Sequence, residues 1–468
     1  MTEPLAAPTL IFDAGTLLLR GLKLDAAKSL LDGSVWRWDW RVGGWRADAI
    51  HLAETEQLFR AAGLPLHVDI PTPRAVAWPL IALPPPRPQQ EEAVAGWLAA
   101  GGRGVIVMPT GTGKTVVALA IMARTWVATL VVSPTRDLMH QWHRRILRAM
   151  GYDAGVLGDN TFDLRPVTVT TYDSAAIHMP KIGAKFGLIV FDEAHHLPAP
   201  GYREAALMCT APRRLGLTAT PERPDGRHVD LDRLIGPVCC QCDLADAGDS
   251  LAPYETYRIS VKLTEAEKQK HDWASTIVRN YVLARRRDVP GYEWKDVLAD
   301  AGADPEARRA QHAFYEKQSL EDRAQEKFRA LEELFRRHRG ERVIVFTGTN
   351  AMALEVSTRF LLPTLLSHCR KKERIAVLEH FAAGRFPAIV ANQVLDEGVD
   401  VPEAKVAVVL GGQSSTRQAK QRLGRILRPV GDARAVLYEV VCEAAGEEQR
   451  SRARRKSDAY TRTRHRRI

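Results

Sequence analysis

Eight consecutive residues, Met108-Pro109-Thr110-Gly111-Thr112-Gly113-Lys114-Thr115, carry the groups that hold a phosphate. Gly111 and Gly113 let the backbone curl until its N–H groups point inward at an anion. Lys114 has the reach to meet the outer phosphates of a nucleotide, and the Thr115 hydroxyl can hold Mg2+. The strict form of such a loop has glycine where Met108 stands, so a glycine-rich turn before a core helix is the alternative. A second chemical pair, Asp192-Glu193, follows the apolar run Leu188–Phe191. The first acid suits the shell of Mg2+, and the second can orient or deprotonate an attacking water. Two acids at a strand end can also cap a helix. The upstream Lys114 and Thr115 favour the catalytic reading.

These groups need positioning. Val105–Val107 before the loop and Val116–Ala123 after it predict strand, loop and helix. Buried strands are expected at Val105–Met108, Leu130–Ser133, Val167–Thr170, Leu188–Phe191 and Leu215–Leu217. Helical stretches separate most of them. This is an α/β pattern with a mostly parallel sheet, and its ligands belong at the carboxyl ends of the strands. A second set is expected at Val343–Phe346, Ala388–Ala391, Val406–Leu410 and Val436–Glu439.

The 468 residues suffice for about three domains, and the net charge of +10 suggests a polyanionic partner. No apolar run approaches the ~18 residues of a membrane span, so no membrane partner is expected. The N-terminus lacks a basic segment of the secretory kind. Cys239-Cys240-x-Cys242 lacks the second distant pair of a zinc site, so packing at a strand end is expected, in a reducing cytoplasm.

Residues 1–70 read as a small α/β domain. Its hairpin turns about Asp13-Ala14-Gly15, and Trp36, Trp38 and Trp40 alternate onto one face beside Arg37, Arg41 and Arg46. Packing is the first reading of these tryptophans, and a platform for bases the second. Residues 71–88 contain seven prolines and read as a stiff linker. Residues 89–250 form a first lobe, 251–340 a connecting and helical region, and 341–445 a second lobe. Residues 446–468 carry nine Lys or Arg against three acids and are expected to be a disordered tail that clamps phosphates or only solubilises.

The Walker-type loop, Asp192-Glu193-Ala194-His195 and Thr218-Ala219-Thr220, in this order, resemble a superfamily 2 helicase. Val394 to Pro402 (V-L-D-E-G-V-D-V-P) and Gln421 to Arg428 (Q-R-L-G-R-I-L-R) narrow the likeness. They are similar to the XPB family, the xeroderma pigmentosum group B DNA helicases, in their compact archaeal and bacterial form. Asp192 to Ala199 and Asp225 to His228 support this. The resemblance implies two RecA-like parallel-sheet lobes, a small N-terminal domain likened to a damage-recognition domain, and a helical thumb. It implies adenine sensing by Arg87 and Gln90, and coupling through Thr218, Ala219 and Thr220. Gly398 and Asp400 should lie near the ribose. Gln421, Arg425 and Arg428 should place water and supply charge to the γ-phosphoryl. DNA contacts fall to Thr135, Arg136, Thr170, Thr171, Arg223, Asp225 and the triplet Arg285-Arg286-Arg287, whose alternative is a solvated helix face.

One departure matters. The family's Arg-Glu-Asp element reads Arg223-Pro224-Asp225 here, which puts unwinding strength in question but not hydrolysis. The expectation is an ATP- and Mg2+-dependent 3′-to-5′ DNA helicase or translocase of DNA repair, cytoplasmic and nucleoid-associated when on DNA. The alternative is an ATP-gated clamp on duplex DNA that directs a partner nuclease, as the family's archaeal members imply. An RNA helicase of the DEAH type is the third reading.

Overall fold

The computed structural model describes residues 7–109, 111–223, 225–242, 254–366, 368–392, 404–411, 435–455 and 463–466. The chain divides into two compact units, 1–247 and 248–468.

The first unit opens on a five-stranded sheet. β1 (Thr9–Asp13) and β2 (Thr16–Arg20) form the expected hairpin, with Ala14 and Gly15 both at positive φ in its turn. That backbone lets a two-residue turn follow the twist of its strands. α1 (Leu24–Leu30), β3 (Arg37–Asp39), β4 (Gly44–Asp48), α2 (Leu52–Ala61) and β5 (His67–Asp69) complete the module, in sheet order β3-β4-β2-β1-β5. The alternation of Val35–Val42 predicts one longer strand. Instead the Asp39 carbonyl accepts from the Val42 and Gly43 N–H groups and turns the chain. The three tryptophans therefore do not share a face: Trp36 is buried, Trp38 half exposed and Trp40 80% exposed. Arg46 closes the module by donating to Asp13, Thr16 and Asp39.

The proline-rich stretch is not a free spacer. Val76 N donates to Trp126 O, Leu80 N to Met150 O and Ala82 N to Ala149 O, at 2.9, 3.1 and 2.7 Å. Val76 and Trp78 are buried in the core of the lobe that follows. Proline stiffness lets the segment run extended against that lobe with little entropy to lose.

The lobe itself runs α3 (Pro88–Ala99), β6 (Arg103–Val107), α4 (Lys114–Thr125), β7 (Thr129–Ser133), α5 (Arg136–Met150), β8 (Gly155–Gly158), β9 (Thr161–Phe162), β10 (Val167–Thr171), α6 (Tyr172–Ile182), β11 (Leu188–Asp192), α7 (Glu204–Leu207), β12 (Arg213–Thr218), α8 (Asp230–Leu234) and β13 (Val238–Gln241). Its sheet order is β13-β6-β12-β11-β7-β10-β8-β9, parallel except for the last pair. Separate apolar cores form on the two faces, as buried parallel strands require. Cys239 and Cys240 lie in β13 beside β6. Burial pushes the Cys239 thiol up to about 11. All six cysteines are free.

The second unit contains β14 (Tyr254–Val261), α9 (Glu265–Asp288), α10 (Trp294–Asp300), α11 (Pro305–Asp322), α12 (Gln325–Arg337), β15 (Val343–Thr347), α13 (Asn350–Phe360), β16 (Thr364–Leu365), α14 (Lys371–Ala382), β17 (Ala388–Asn392), β18 (Val406–Leu410), β19 (Ala435–Cys442), α15 (Ala445–Arg455) and β20 (Thr463–Arg466). The sheet order is β16-β17-β15-β18-β19-β14-β20, parallel throughout. Two boundaries move. β14 and α12, expected in the connecting and thumb region, belong to the lobe: β14 pairs with β19 along its whole length, and Phe328, Leu331 and Leu334 fill the core. α9, α10 and α11 remain as the helical insertion, with a small core of Tyr292, Val297, Ala301, Ala307 and Ala310.

The basic tail is also corrected. Its first part is α15, and Thr463–Arg466 pair with Thr256–Ile259 at the sheet edge. Lys327 and Glu447 meet at 2.6 Å with neither side chain exposed, and Glu447 also accepts from Cys442 N. Arg450 reaches Glu321 and Asp322, and the Ser451 hydroxyl donates to Glu439. A helix that carries one half of a buried ion pair is part of the fold.

Candidate nucleotide site

β6 ends at Val107 and delivers the phosphate loop. Gly111 and Gly113 have φ of +91° and +89°, the left-handed region that glycine enters freely. A Cβ on Gly113 would stand 2.3 Å from Gln90 Nε2, so the position excludes larger residues twice over. Gln90 is held from both sides. Its Nε2 donates to Thr112 O at 2.8 Å, and its Oε1 accepts from Arg87 N at 3.1 Å. Met108 is fully buried in the lobe core. Met108 itself is not at positive φ, so glycine at 108 is not required. The Met108 and Pro109 carbonyls accept from Lys114 Nζ at 3.0 and 3.4 Å. The ammonium thus lies across its own loop, where an anion would meet it.

β11 delivers Asp192 beside this loop. Its Oδ2 accepts from Trp142 Nε1 at 2.8 Å and its Oδ1 from Glu193 N at 3.1 Å. Burial pushes the Asp192 carboxyl up, against the pull of Trp142, Lys114 and Arg145. Tyr172 OH donates to the Asp192 carbonyl, and burial with the neighbouring acids raises that phenol well above its usual range. Glu193 sits at φ +47°, a conformation that costs a non-glycine residue energy and recurs at functional sites. His195 Nδ1 lies 3.1 Å from Thr218 Oγ1. Since the Thr218 hydroxyl donates to Thr220 O, it accepts from His195, and the acidic motif is joined to Thr218-Ala219-Thr220.

Other expected residues fall differently. Thr135 and Thr171 cap α5 and α6, accepting from Leu138 N and Ser174 N. Thr170 is enclosed, its hydroxyl donating to Leu157 O, which removes it from any surface. Arg136 is exposed and paired with Asp159 at 3.1 Å. Arg223 grips Asp225 through two bonds of 2.9 and 2.7 Å, and its Nη1 donates to His195 O at 2.6 Å. The arginine triplet is in part structural. Arg285 pairs with Asp300 and lies against the Tyr281 and Tyr292 rings, and Arg286 donates to Tyr292 O, while Arg287 is exposed. Thr110, Pro224, Gly398, Asp400, Gln421, Arg425 and Arg428 lie outside the described residues.

The fold has relatives of known structure. The helicase domain of Pyrococcus furiosus Hef is similar with a TM-score of 0.50 at 18% identity, covering 79% of this chain and 98% of that one. Dbp5 of S. cerevisiae, bound to RNA and ADP BeF3, is similar with a TM-score of 0.55 at 15% identity, covering 82% and 90%. These establish the two RecA-like lobes. In sequence, residues 83–223 match the family described as Type III restriction enzyme, res subunit, and residues 326–430 match the helicase conserved C-terminal domain. The DNA 3′-5′ translocase XPB2 of Sulfurisphaera tokodaii is 41% identical over 371 residues, 79% of this chain and 84% of that protein. This chain belongs to the XPB family of superfamily 2 helicases. The DNA 3′-5′ helicases XPB of Kineococcus radiotolerans and Mycobacterium tuberculosis are 32% and 30% identical, and the chain spans 59% and 58% of their lengths.

Within this XPB-family site, motif reading missed Trp142 and Arg145. Neither belongs to a short motif. Trp142 and Arg145 lie three apart on α5, an i,i+3 pair whose aim across to β11 and α4 only the packing reveals. Among the described residues, no helix is long and apolar enough to cross a membrane.

Proposed function

We propose that this chain is an ATP-dependent 3′-to-5′ DNA helicase or translocase serving DNA repair, with its nucleotide chemistry on the first unit. The observation that carries the chemistry is the buried Asp192 carboxylate beside Lys114 and the phosphate loop. The names of the S. tokodaii, K. radiotolerans and M. tuberculosis relatives support the substrate and polarity.

Lys114 would leave the Met108 and Pro109 carbonyls to meet the outer phosphates, while the loop N–H groups and the start of α4 hold them. Thr115 and Asp192 offer a hydroxyl and a carboxylate, hard oxygens that fit Mg2+. Among the described residues, no three His, Cys, Asp or Glu side chains gather to hold a metal alone. Thr115 and Asp192 would therefore hold the metal only together with a bound nucleotide. When bound, Mg2+ neutralises charge on the phosphates. Glu193 would orient the attacking water and take its proton. His195, through Thr218, would pass the state of this acid to the Thr218–Thr220 strand end. Arg87 and Gln90 are the adenine-reading pair. For Thr110, Gly398, Asp400, Gln421, Arg425 and Arg428 we keep, as proposals, the roles that the family resemblance implies.

DNA contact is proposed at the starts of α5 and α6, with Thr135, Arg136 and Thr171, and at Arg287. Backbone contacts of this kind carry little sequence information, as a motor needs.

One observation favours a second reading. Arg223 and Asp225 are bound to each other, and Arg223 also to the His195 carbonyl, so the element linked in the family to strand opening is tied to the nucleotide site. That tie supports the clamp reading, in which the chain moves on duplex DNA with little strand separation and directs a partner nuclease. The test compares forked-duplex unwinding with displacement of a triplex third strand, at equal ATP consumption. Triplex displacement without unwinding selects the duplex translocase. Stimulation of the ATPase by RNA and not DNA would overturn both.

A further inference from the structure

Two side chains of α5 address the two protein groups assigned above to Mg2+. Trp142 Nε1 donates to Asp192 Oδ2 at 2.8 Å, and Arg145 Nη1 donates to Thr115 Oγ1 at 2.7 Å. Both contacts bridge separate elements of the sheet layer, from α5 to β11 and from α5 to the first turn of α4.

The two donors differ in what they permit. The indole N–H is neutral and uses one oxygen of a carboxylate that has several lone pairs. It can stay in place and hold the Asp192 plane while a cation takes another lone pair. The Arg145 guanidinium is charged and occupies an acceptor site of the Thr115 hydroxyl. A dication bound to the same oxygen would compete for that electron density and repel the guanidinium at contact range.

We propose that Arg145 is a positioning residue that stands in for the metal: it holds the Thr115 hydroxyl while Mg2+ is absent and must let go for Mg2+ to bind. Trp142 keeps the carboxylate oriented throughout. The exchange makes Mg2+, more than the nucleotide itself, the trigger that releases the Arg145 tie between α5 and α4. Because α5 begins at Thr135 and Arg136, the same helix connects the metal position with the proposed DNA contact. This inference rests on the reading of Thr115 and Asp192 as the metal-holding pair.

The test measures binding, without turnover. A fluorescent methylanthraniloyl-ADP is titrated into the full chain, once with excess EDTA and once with saturating Mg2+, and Mg2+ is then titrated into the protein–ADP mixture. In Arg145→Ala, the Mg2+ half-saturation should fall by about tenfold, the worth of one charge-assisted hydrogen bond no longer displaced. Affinity in EDTA should change little. Arg145→Lys, which keeps the charge without the planar fork, should fall between. Arg145→Gln serves where Arg145→Ala does not fold. An unchanged or raised Mg2+ half-saturation in these variants overturns the proposal. Lys114→Ala, losing ADP binding under both conditions, checks the site itself. If the unaltered chain binds no ADP with Mg2+, it is the nucleotide reading that fails. If it binds and only the Arg145 comparison is flat, the stand-in role alone fails.

Discussion

Lys327 on α12 and Glu447 on α15 form an ion pair of 2.6 Å with neither side chain exposed, across a span of 120 residues. Breaking one partner of such a pair leaves an unpaired buried charge, at a cost of about 3–5 kcal/mol. Glu447→Ala should therefore destabilise the second unit by that order in denaturant unfolding. Lys327→Met with Glu447→Leu, which removes both charges, should recover most of that stability. Two variants of equal stability would mean that the pair is not held as described.

Deleting the whole of 446–468 should unfold the second lobe, because it removes Glu447. A cut after Arg455 spares the bonds made by Glu447, Arg450 and Ser451. That shorter deletion should leave basal ATPase intact, weaken DNA binding and flatten its salt dependence, by up to about 0.9 in log–log slope for each phosphate no longer neutralised. An unchanged slope would make the last residues irrelevant to DNA.

Lys114→Ala should lose nucleotide binding and hydrolysis together. Glu193→Gln should keep Mg·ATP binding and lose hydrolysis by on the order of 10²–10⁴, since only the water-activating carboxylate changes. Calorimetric titration with ATP beside a phosphate-release assay separates the two. Equal loss of affinity in both variants would refute the division of roles.

Pro224 replaces the acid of the family's three-residue element, between two residues that are bonded to each other. Base pairs separated per ATP on a forked duplex should rise in Pro224→Glu, with DNA-stimulated hydrolysis unchanged. If the unaltered chain already couples well and the substitution does nothing, this element is not where strands part.

Asp39 offers a pH test. Arg41 beside it, then Arg46, hold its carboxyl well below the usual carboxylate range. A depressed folded value stabilises above the unfolded value, near about 3.9, and that stability is lost as pH falls from there through the folded value. Asp39→Asn should therefore speed hydrogen exchange in β3 and β4 by the same factor from neutral pH down to about pH 5. The difference should shrink below the ordinary aspartate range. A difference that already vanishes near neutrality would place Asp39 outside the Arg41–Arg46 grip.

The sequence alone located the candidate chemical groups. The phosphate loop and Asp192-Glu193 are short local motifs, and each follows a strand whose nearly continuous apolar run marks it as buried in a parallel sheet. Strand and loop are written within a few residues of one another, so local reading reaches them. Tertiary structure decided what depends on distant partners. β14 became a lobe strand only by pairing with β19, and its mixed polar sequence has no run to announce it. α15 carries a high charge, which composition reads as a solvated tail. Its Glu447 is buried because Lys327 meets it there, and no pattern within α15 encodes that partner. The same holds for Arg145, an ordinary arginine on a charged helix until folding sets it on Thr115. A burial that only pairing makes tolerable is a property of two segments, and neither segment shows it by itself.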